Sequence, residues 1–319
     1  MSIELPFDPF PLFSGSHQQT IFGSLPSFQF QPPSSRKLIE LPDKDRISLE
    51  ITTPKNWNPS DPTVIMLHGL CGSHKSSYLV RITKKLAKTG IRSVRFNLRG
   101  CGSGRGLAKG IYHCGRSDDV LVAIKELKKE FPESPIILIG FSIGGSIVLK
   151  LAGELGEEAK KYLVKVIGIN APIDIKKSLE LLSHPKNRFY ERYFSKKLYA
   201  DVEYRHKRFP ELGKHNLPKD FKLHDFDKLY TVPQGGFNNL EEYYLECSAV
   251  YKVQDITIDC NILASQDDPI IYPNTLDDMD LPPNIRYYKT KKGGHLGYIG
   301  KKHFHWIDQV ALDWINECF

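Results

Sequence analysis

Long apolar runs are missing from this sequence. Nowhere in its 319 residues does one approach the ~18 positions that a membrane-spanning helix needs. Cysteine is scarce too. The six cysteines, at 71, 101, 114, 247, 260 and 318, stand far apart and never form a C-x-x-C pair. That speaks against a disulfide scaffold or a cysteine zinc site and suits free thiols in a reducing compartment. Charge of one sign has no great excess: 44 Lys and Arg against 37 Asp and Glu give 44 − 37 = +7, which excludes a disordered polycation. The basic residues are interleaved with acids and carry no recognised nucleic-acid motif, so no nucleic-acid partner is expected. The first twenty residues hold prolines, two acids and no lysine or arginine, so a secretory signal is not expected. The phosphate-binding G-x-x-x-x-G-K-[S/T] and the zinc-binding H-E-x-x-H are both absent. The glycines at 100, 102, 104 and 106 miss the dinucleotide-binding G-x-G-x-x-G spacing. These absences leave a soluble cytoplasmic globular protein, with no metal or organic cofactor expected.

What is present is a rhythm of short apolar runs and helical patterns. Residues 1–36 hold six prolines and read as an irregular arm lying over the body. Ile47–Ile51 alternates, as an early half-exposed strand does. Val64–Leu67 is continuously apolar, as a strand buried on both faces should be. Residues 76–89 have helical spacing, and Ile91–Phe96 is a strand ending in a glycine-rich loop. A helix then runs from Ser117 to Phe131, Pro135–Ile139 is a strand, and a helix covers about Gly144 to Glu154. Val164–Asn170, Ile258–Ala264 and Ile285–Lys289 are further strands, and residues 301–318 read as an amphipathic final helix. This alternation predicts an α/β fold: a mostly parallel central sheet with helices on both faces.

One stretch breaks the rhythm. Over eighty residues between the strands near Asn170 and Ile258 contain no clear buried strand, and residues 189–251 hold fourteen Phe and Tyr. Residues 176–208 carry ten Lys or Arg against four Asp or Glu. Insertions of this length are usually functional. The expected organisation is an arm (1–36), a core in two parts (37–171 and 258–319) and a helical cap (172–257). Aromatics such as Phe189, Tyr193 and Phe194 are expected to line an apolar slot in the cap. Its basic first half suits anionic head groups or peripheral contact with a membrane.

The strongest chemical signal is Gly140-Phe141-Ser142-Ile143-Gly144-Gly145, set after an apolar strand and before a helix. So sharp a turn strains the serine backbone and leaves no room for side chains two residues away; hence glycine at 140 and 144. A serine alone is a poor nucleophile and needs a base that an acid orients. In this order the acid follows a late strand, at Asp267-Asp268. Asp268 is favoured for the apolar Pro269-Ile270-Ile271 after it, and Asp267 stays open as the alternative. The base follows the last strand, within Lys291-Lys292-Gly293-Gly294-His295, which supplies His295; His303 and His305 are rivals placed at the start of the final helix. An oxyanion hole needs two backbone N–H donors. The expected pair is Ile143, after the nucleophile, and Leu70, in the turn His68-Gly69-Leu70-Cys71-Gly72-Ser73. Cys71 has no base assigned to it and reads as a passive thiol.

These residues resemble those of the YheT-type branch of the α/β-hydrolases, related to ABHD-type lipases and medium-chain ester synthases. The resemblance includes His17-Gln18-Gln19-Thr20 in the arm, the turn at 68–73 and Asn97-Leu98-Arg99-Gly100-Cys101. It continues through Ile111-Tyr112-His113-Cys114-Gly115, Cys247-Ser248-Ala249, Asp267-Asp268-Pro269 and Gly293-Gly294-His295. Gln18 and Cys71 depart from the branch's pattern. The resemblance implies an α/β-hydrolase fold and a serine hydrolase of carboxylic esters, with Ser142, Asp268 and His295 as its triad. The role of Tyr112 and His113 stays open between packing and substrate contact. An acyltransferase would use the same triad, with an alcohol in place of water. A non-catalytic scaffold binding lipid or a partner is the alternative of another class. The expected partner is a small ester or lipid-like substrate with a short- to medium-length acyl chain.

Overall fold

The computed structural model describes residues 2–25 and 30–319. Its strands are β1 (Ile3–Glu4), β2 (Ser35–Glu40), β3 (Arg46–Thr52), β4 (Thr63–Leu67), β5 (Arg92–Asn97), β6 (Ile136–Phe141), β7 (Lys165–Ile169), β8 (Asp259–Ser265) and β9 (Ile285–Thr290). They form one sheet in the order β1-β9-β8-β7-β6-β4-β5-β3-β2. β3 runs antiparallel to β2 and β5, and every other neighbouring pair is parallel. The helices are α1 (Ser16–Ser24), α2 (Ser77–Lys88), α3 (Ser117–Glu130), α4 (Ile143–Leu155), α5 (Ile175–Leu182), α6 (Arg188–Arg208), α7 (Leu223–Phe226), α8 (Val232–Gly235), α9 (Leu240–Cys247) and α10 (Trp306–Asn316).

Strand alternation builds two cores. Along β4, Val64 and Met66 point to one face and Ile65 and Leu67 to the other. The first face packs on α2 through Leu79, Ile82 and Leu86 and on α10 through Ile307, Val310 and Trp314. The second packs on Val120, Ile124 and Leu127 of α3 and Ile147 and Leu151 of α4. A central strand covered on both faces has no polar side to show, which is why its sequence is continuously apolar. Arg99, after β5, is a buried tie across this frame. Its Nε and Nη2 donate to Asp119 at 2.6 and 2.7 Å, and its Nη1 donates to Asp45 at 2.8 Å and also to Asp43.

Several expectations need correcting. β3 is buried at every residue after Arg46 rather than half-exposed, because β2 pairs along its outer edge. The arm is not irregular throughout: β1 adds a parallel edge to β9, and α1 is a nine-residue helix. The final helix starts at Trp306, not near Lys301, so His303 precedes it and His305 is its N-cap. Between β7 and β8 the chain is helical, as expected. There a π-helical turn, Asp227–Thr231, joins α7 to α8. Pro233 follows this turn and has no N–H to return to the preceding carbonyls, a common origin for such a widened turn.

Candidate active site

β6 ends at Phe141 and α4 starts at Ile143, leaving Ser142 as the whole connection. Its φ of 54° and ψ of −127° lie outside the regions an L residue prefers. The surroundings hold it there. A Cβ on Gly140 would stand 2.1 Å from Gly144 O, and one on Gly144 would stand 2.7 Å from His68 O. Both positions therefore require glycine. The turn lifts the Ser142 side chain to the carboxyl edge of the sheet.

His295 reaches the serine from the loop after β9. Ser142 Oγ lies 3.0 Å from His295 Nε2, and His295 Nδ1 lies 2.8 Å from Asp268 Oδ2. A carboxylate only accepts, so the proton sits on Nδ1 and leaves Nε2 free to receive the serine proton. The same Asp268 oxygen accepts from Asn170 Nδ2 at 2.8 Å, and its other oxygen accepts from the N–H groups of Ile270 and Ile271 at 2.8 and 3.0 Å. Asp267 turns elsewhere: its Oδ1 accepts from Ser265 Oγ at 2.6 Å and from Gly294 N at 2.8 Å. The two acids thus divide between the imidazole and the loop that carries it. His303 is exposed and His305 is half-buried, with burial pushing the His305 imidazole down to about 4. Neither joins the Ser142–His295–Asp268 chain.

Four positioning residues escaped the sequence reading of the site. Asn170 follows β7 with φ 45°, and its Oδ1 accepts from the Tyr298 hydroxyl at 2.9 Å while its amide holds Asp268. Thr20 Oγ1, in α1, accepts the His295 backbone N–H at 2.8 Å. Gln19 accepts from Ile299 N at 2.6 Å and donates to Ile299 O at 3.1 Å. The arm motif was visible; its target was not.

The turn after β4 packs against the serine: a Cβ on Gly69 would meet Ser142 Cβ at 3.1 Å. Four bonds shape the turn. Gly69 N donates to the Tyr78 hydroxyl at 2.9 Å, and Cys71 N donates to the Tyr112 hydroxyl at 3.0 Å. His68 Nδ1 donates to Gly69 O at 2.8 Å while its Nε2 accepts from Leu98 N at 3.2 Å. Burial pushes His68 down to about 4, so it stays neutral and keeps that tautomer at neutral pH. Between the two anchored N–H groups, that of Leu70 has no hydrogen-bond partner among the described residues, and neither has that of Ile143. Leu70, Ile143 and Ser142 all face one cavity. Burial pushes the Cys71 thiol up to about 12, so it is not the thiolate a nucleophile requires.

That cavity has about 920 Å³ of atom-free space, part of it open to solvent. Its walls are chiefly aliphatic, from Leu179 and Leu182 of α5, Leu198 and Val202 of α6, and Ile270 and Ile271. The aromatic slot expected from composition is therefore only partly realised. Phe194, Phe226, Tyr230 and Tyr243 line the cavity, but Phe189 and Tyr193 point outward and are 66% and 47% exposed. Tyr112 and His113, left open between packing and substrate contact, both pack and both border the cavity. Each lines the cavity, while the Tyr112 hydroxyl braces the turn and the buried His113 accepts from Gly115 N at 3.1 Å. Burial pushes His113 down to about 3. Among the described residues, no three His, Cys, Asp or Glu side chains gather as metal ligands. Nor, among those residues, is any helix long and apolar enough to cross a membrane.

A family model described as the alpha/beta hydrolase fold matches residues 62–302. YheT of Escherichia coli (strain K12), named as a candidate esterase, is 27% identical over 317 residues, 97% of this chain and 93% of its own. A monoacylglycerol lipase of Saccharomyces cerevisiae is 28% identical over 254 residues, 76% of this chain and 56% of that protein. Among solved structures, the Pyrococcus furiosus esterase Pf2001 superposes with a TM-score of 0.58 over 99% of both chains, at 16% identity; that likeness is one of fold.

Proposed function

The chain belongs to the α/β-hydrolase fold family, and from that premise we propose that it is a serine hydrolase of carboxylic esters. The observation that carries this reading is the hydrogen-bonded chain Ser142–His295–Asp268, set beside two unused N–H groups. Its esterase- and lipase-named relatives point the same way. In the proposed reaction Ser142 Oγ attacks the ester carbonyl and its proton passes to His295 Nε2. The N–H groups of Ile143 and Leu70 donate to the oxyanion, and Asp268 holds the imidazolium. The alkoxide leaves with the proton from Nε2. Water, deprotonated by the same nitrogen, then releases the acid from the acyl-serine.

We place the acyl chain, of short to medium length, in the aliphatic cavity beneath residues 172–257, which act as a cap. The outward face of α6 exposes Phe189 and Tyr193 among Arg188, Arg192, Lys196 and Lys197, a combination suited to peripheral contact with an anionic membrane. The decisive experiment is labelling with a fluorophosphonate probe alongside hydrolysis of p-nitrophenyl esters. The wild type should be labelled at Ser142. The Ser142→Ala variant should lose labelling and all but about a thousandth of turnover, since a removed triad member costs at least that much. Higher residual turnover in a folded S142A protein would defeat the reading.

A further inference from the structure

We propose that Arg205 binds an anionic oxygen of the substrate, a carboxylate or a phosphate, so that the preferred ester is amphipathic rather than wholly apolar. This rests on the reading of the cavity as the substrate site. Arg205 is 4% exposed and lines the same cavity as Ser142. Its Nη2 donates to Asp201 Oδ2 at 2.8 Å, but its Nη1 is buried and has no hydrogen-bond partner among the described residues. The Tyr230 hydroxyl, engaged by His206 Nε2 at 3.0 Å, also lies beside the Arg205 guanidinium, but no partner meets hydrogen-bond geometry at Nη1. An unpaired buried donor on a charged group is costly, and folded proteins seldom leave one.

Other buried guanidinium groups are of two kinds: Arg92 and Arg95 have no carboxylate and also leave nitrogens unbonded, but neither lines this cavity, whereas two more are fully matched. Arg99 is held by three carboxylates. Arg81 is matched fork to fork by Asp308, through Nε at 2.8 Å and Nη2 at 2.9 Å. Arg205 has one carboxylate through one nitrogen, and that partner's side chain is itself 31% exposed. The charge around it is also left in surplus. Arg105 is close enough to act on Asp201, and Lys197 on Cys71, while burial makes the Asp201 carboxyl reluctant to ionise. Arg105 itself is exposed and stacks on Tyr204, so Asp201 is the one carboxylate bonded to the Arg205 fork. Asp227, the other carboxyl lining the cavity, makes no bond to Arg205 and is pushed up to about 7 by burial, so the free side of the fork stays open to an anion, and arginine's planar fork suits a carboxylate or phosphate.

Placement favours an amphipathic ligand. On α6, Phe194, Leu198, Val202 and Arg205 all face the cavity, at the i, i+4, i+8, i+11 spacing of one helix face. Seven residues separate Leu198 from Arg205, about 10 Å of rise. One wall of the cavity therefore changes from apolar to cationic along its length.

The test compares kcat/KM for two matched pairs of esters in the wild type and in Arg205→Met. One pair puts the anion on the acyl side: p-nitrophenyl octanoate and the p-nitrophenyl hemiester of the eight-carbon dicarboxylic acid. The other puts it on the alcohol side: hexanoyl glycerol and hexanoyl glycerol phosphate. The wild type should favour the anionic member of one pair, and that pair tells which side of the ester meets Arg205. In R205M the anionic-to-neutral ratio should fall by about ten- to a hundredfold, as for a lost charge-assisted bond. Arg205→Lys should keep part of the preference. A wild type that favours neither anionic ester, or a ratio unmoved in R205M, overturns the inference while leaving the serine-hydrolase reading intact. A wild type that hydrolyses no ester is the failure of that reading instead. Calorimetric binding of decyl phosphate and of decanol then carries the test: equal affinity for the two in the wild type overturns the anion site. The wild-type measurements decide the matter even if R205M does not fold.

Discussion

Replacing Asp268 by asparagine changes one atom, and the surroundings of that atom set the consequence. The carboxylate accepts from His295 Nδ1, from Asn170 Nδ2 and from the N–H groups of Ile270 and Ile271. In Asp268→Asn the amide oxygen can serve the two backbone donors. Its NH₂ group then faces Asn170 Nδ2 and the imidazole, two donors where an acceptor is needed. The imidazole can resolve the conflict only by giving up the Nδ1 proton, which places a proton on Nε2 and removes the lone pair that receives the serine proton. A wrong tautomer of this kind costs roughly 10⁴ in kcat, or about 5.5 kcal/mol of transition-state stabilisation. The folded state loses less, about 1–3 kcal/mol for the unmatched Asn170 donor, so the variant should melt cooperatively at a lower temperature. Asp267→Asn is the internal control. Its amide oxygen can still accept from Ser265 Oγ and Gly294 N, so kcat should fall less than about tenfold, the loss of a modest hydrogen bond. Steady-state hydrolysis of a p-nitrophenyl ester beside thermal melts separates the cases. A larger kcat loss in D267N than in D268N, with both proteins folded, would refute the division of roles between the two acids.

Three further outcomes follow from the same geometry. Thr20→Val removes the acceptor for the buried His295 N–H; kcat should drop about tenfold or more for an orphaned donor of 1–3 kcal/mol, with Thr20→Ser restoring it, and an unchanged kcat would detach the arm from catalysis. Phe194→Ala enlarges the cavity, so kcat/KM across a p-nitrophenyl acyl series, which should climb up to about fourfold per methylene, should peak at a longer chain. Phe189→Ala, whose ring points to solvent, should leave the profile where it was. Asp227, in the π-helical turn, is pushed up from 3.8 to about 7 by burial; the folded state therefore holds a proton that the unfolded chain has released, and stability should decline as pH rises from about 4 toward 7. Asp227→Asn should flatten that decline, and a wild-type melting temperature that rises across the interval would contradict it.

Much of this was legible in the sequence because the physics is local. A strand covered on both faces must be continuously apolar, as Val64–Leu67 is, and a strained elbow must have glycine where Gly140 and Gly144 stand. Other features rest on relations that composition does not encode. Aromatic count placed Phe189 and Tyr193 in the slot, whereas helix phase decides it: Phe194, Leu198 and Val202 share the inward face and those two do not. The arm read as irregular because α1 is held partly by polar side chains, Gln19 and Thr20, which leave no apolar period to detect. β2 was missed for a similar reason, since Ser35-Arg36-Lys37 pairs through its backbone with β3 and shows one flank to solvent. Asp267 and Asp268 follow the same strand, and only the direction of their side chains tells them apart.

The fastening of α1 to the His295 loop has a bearing on how the protein is made. Thr20 and His295 are separated by 275 positions, and Gln19 and Ile299 by 280. At synthesis rates of about 5–20 residues per second, the amino-terminal arm waits on the order of tens of seconds before its partners leave the ribosome. Through that interval the turn at Ser142 can already have formed, since β4, β6 and α4 lie within the first half of the chain. His295 cannot be fastened to Thr20 until the last loop arrives. In refolding, helical circular dichroism should accordingly return before hydrolysis of a p-nitrophenyl ester, the lag reporting closure of this long loop.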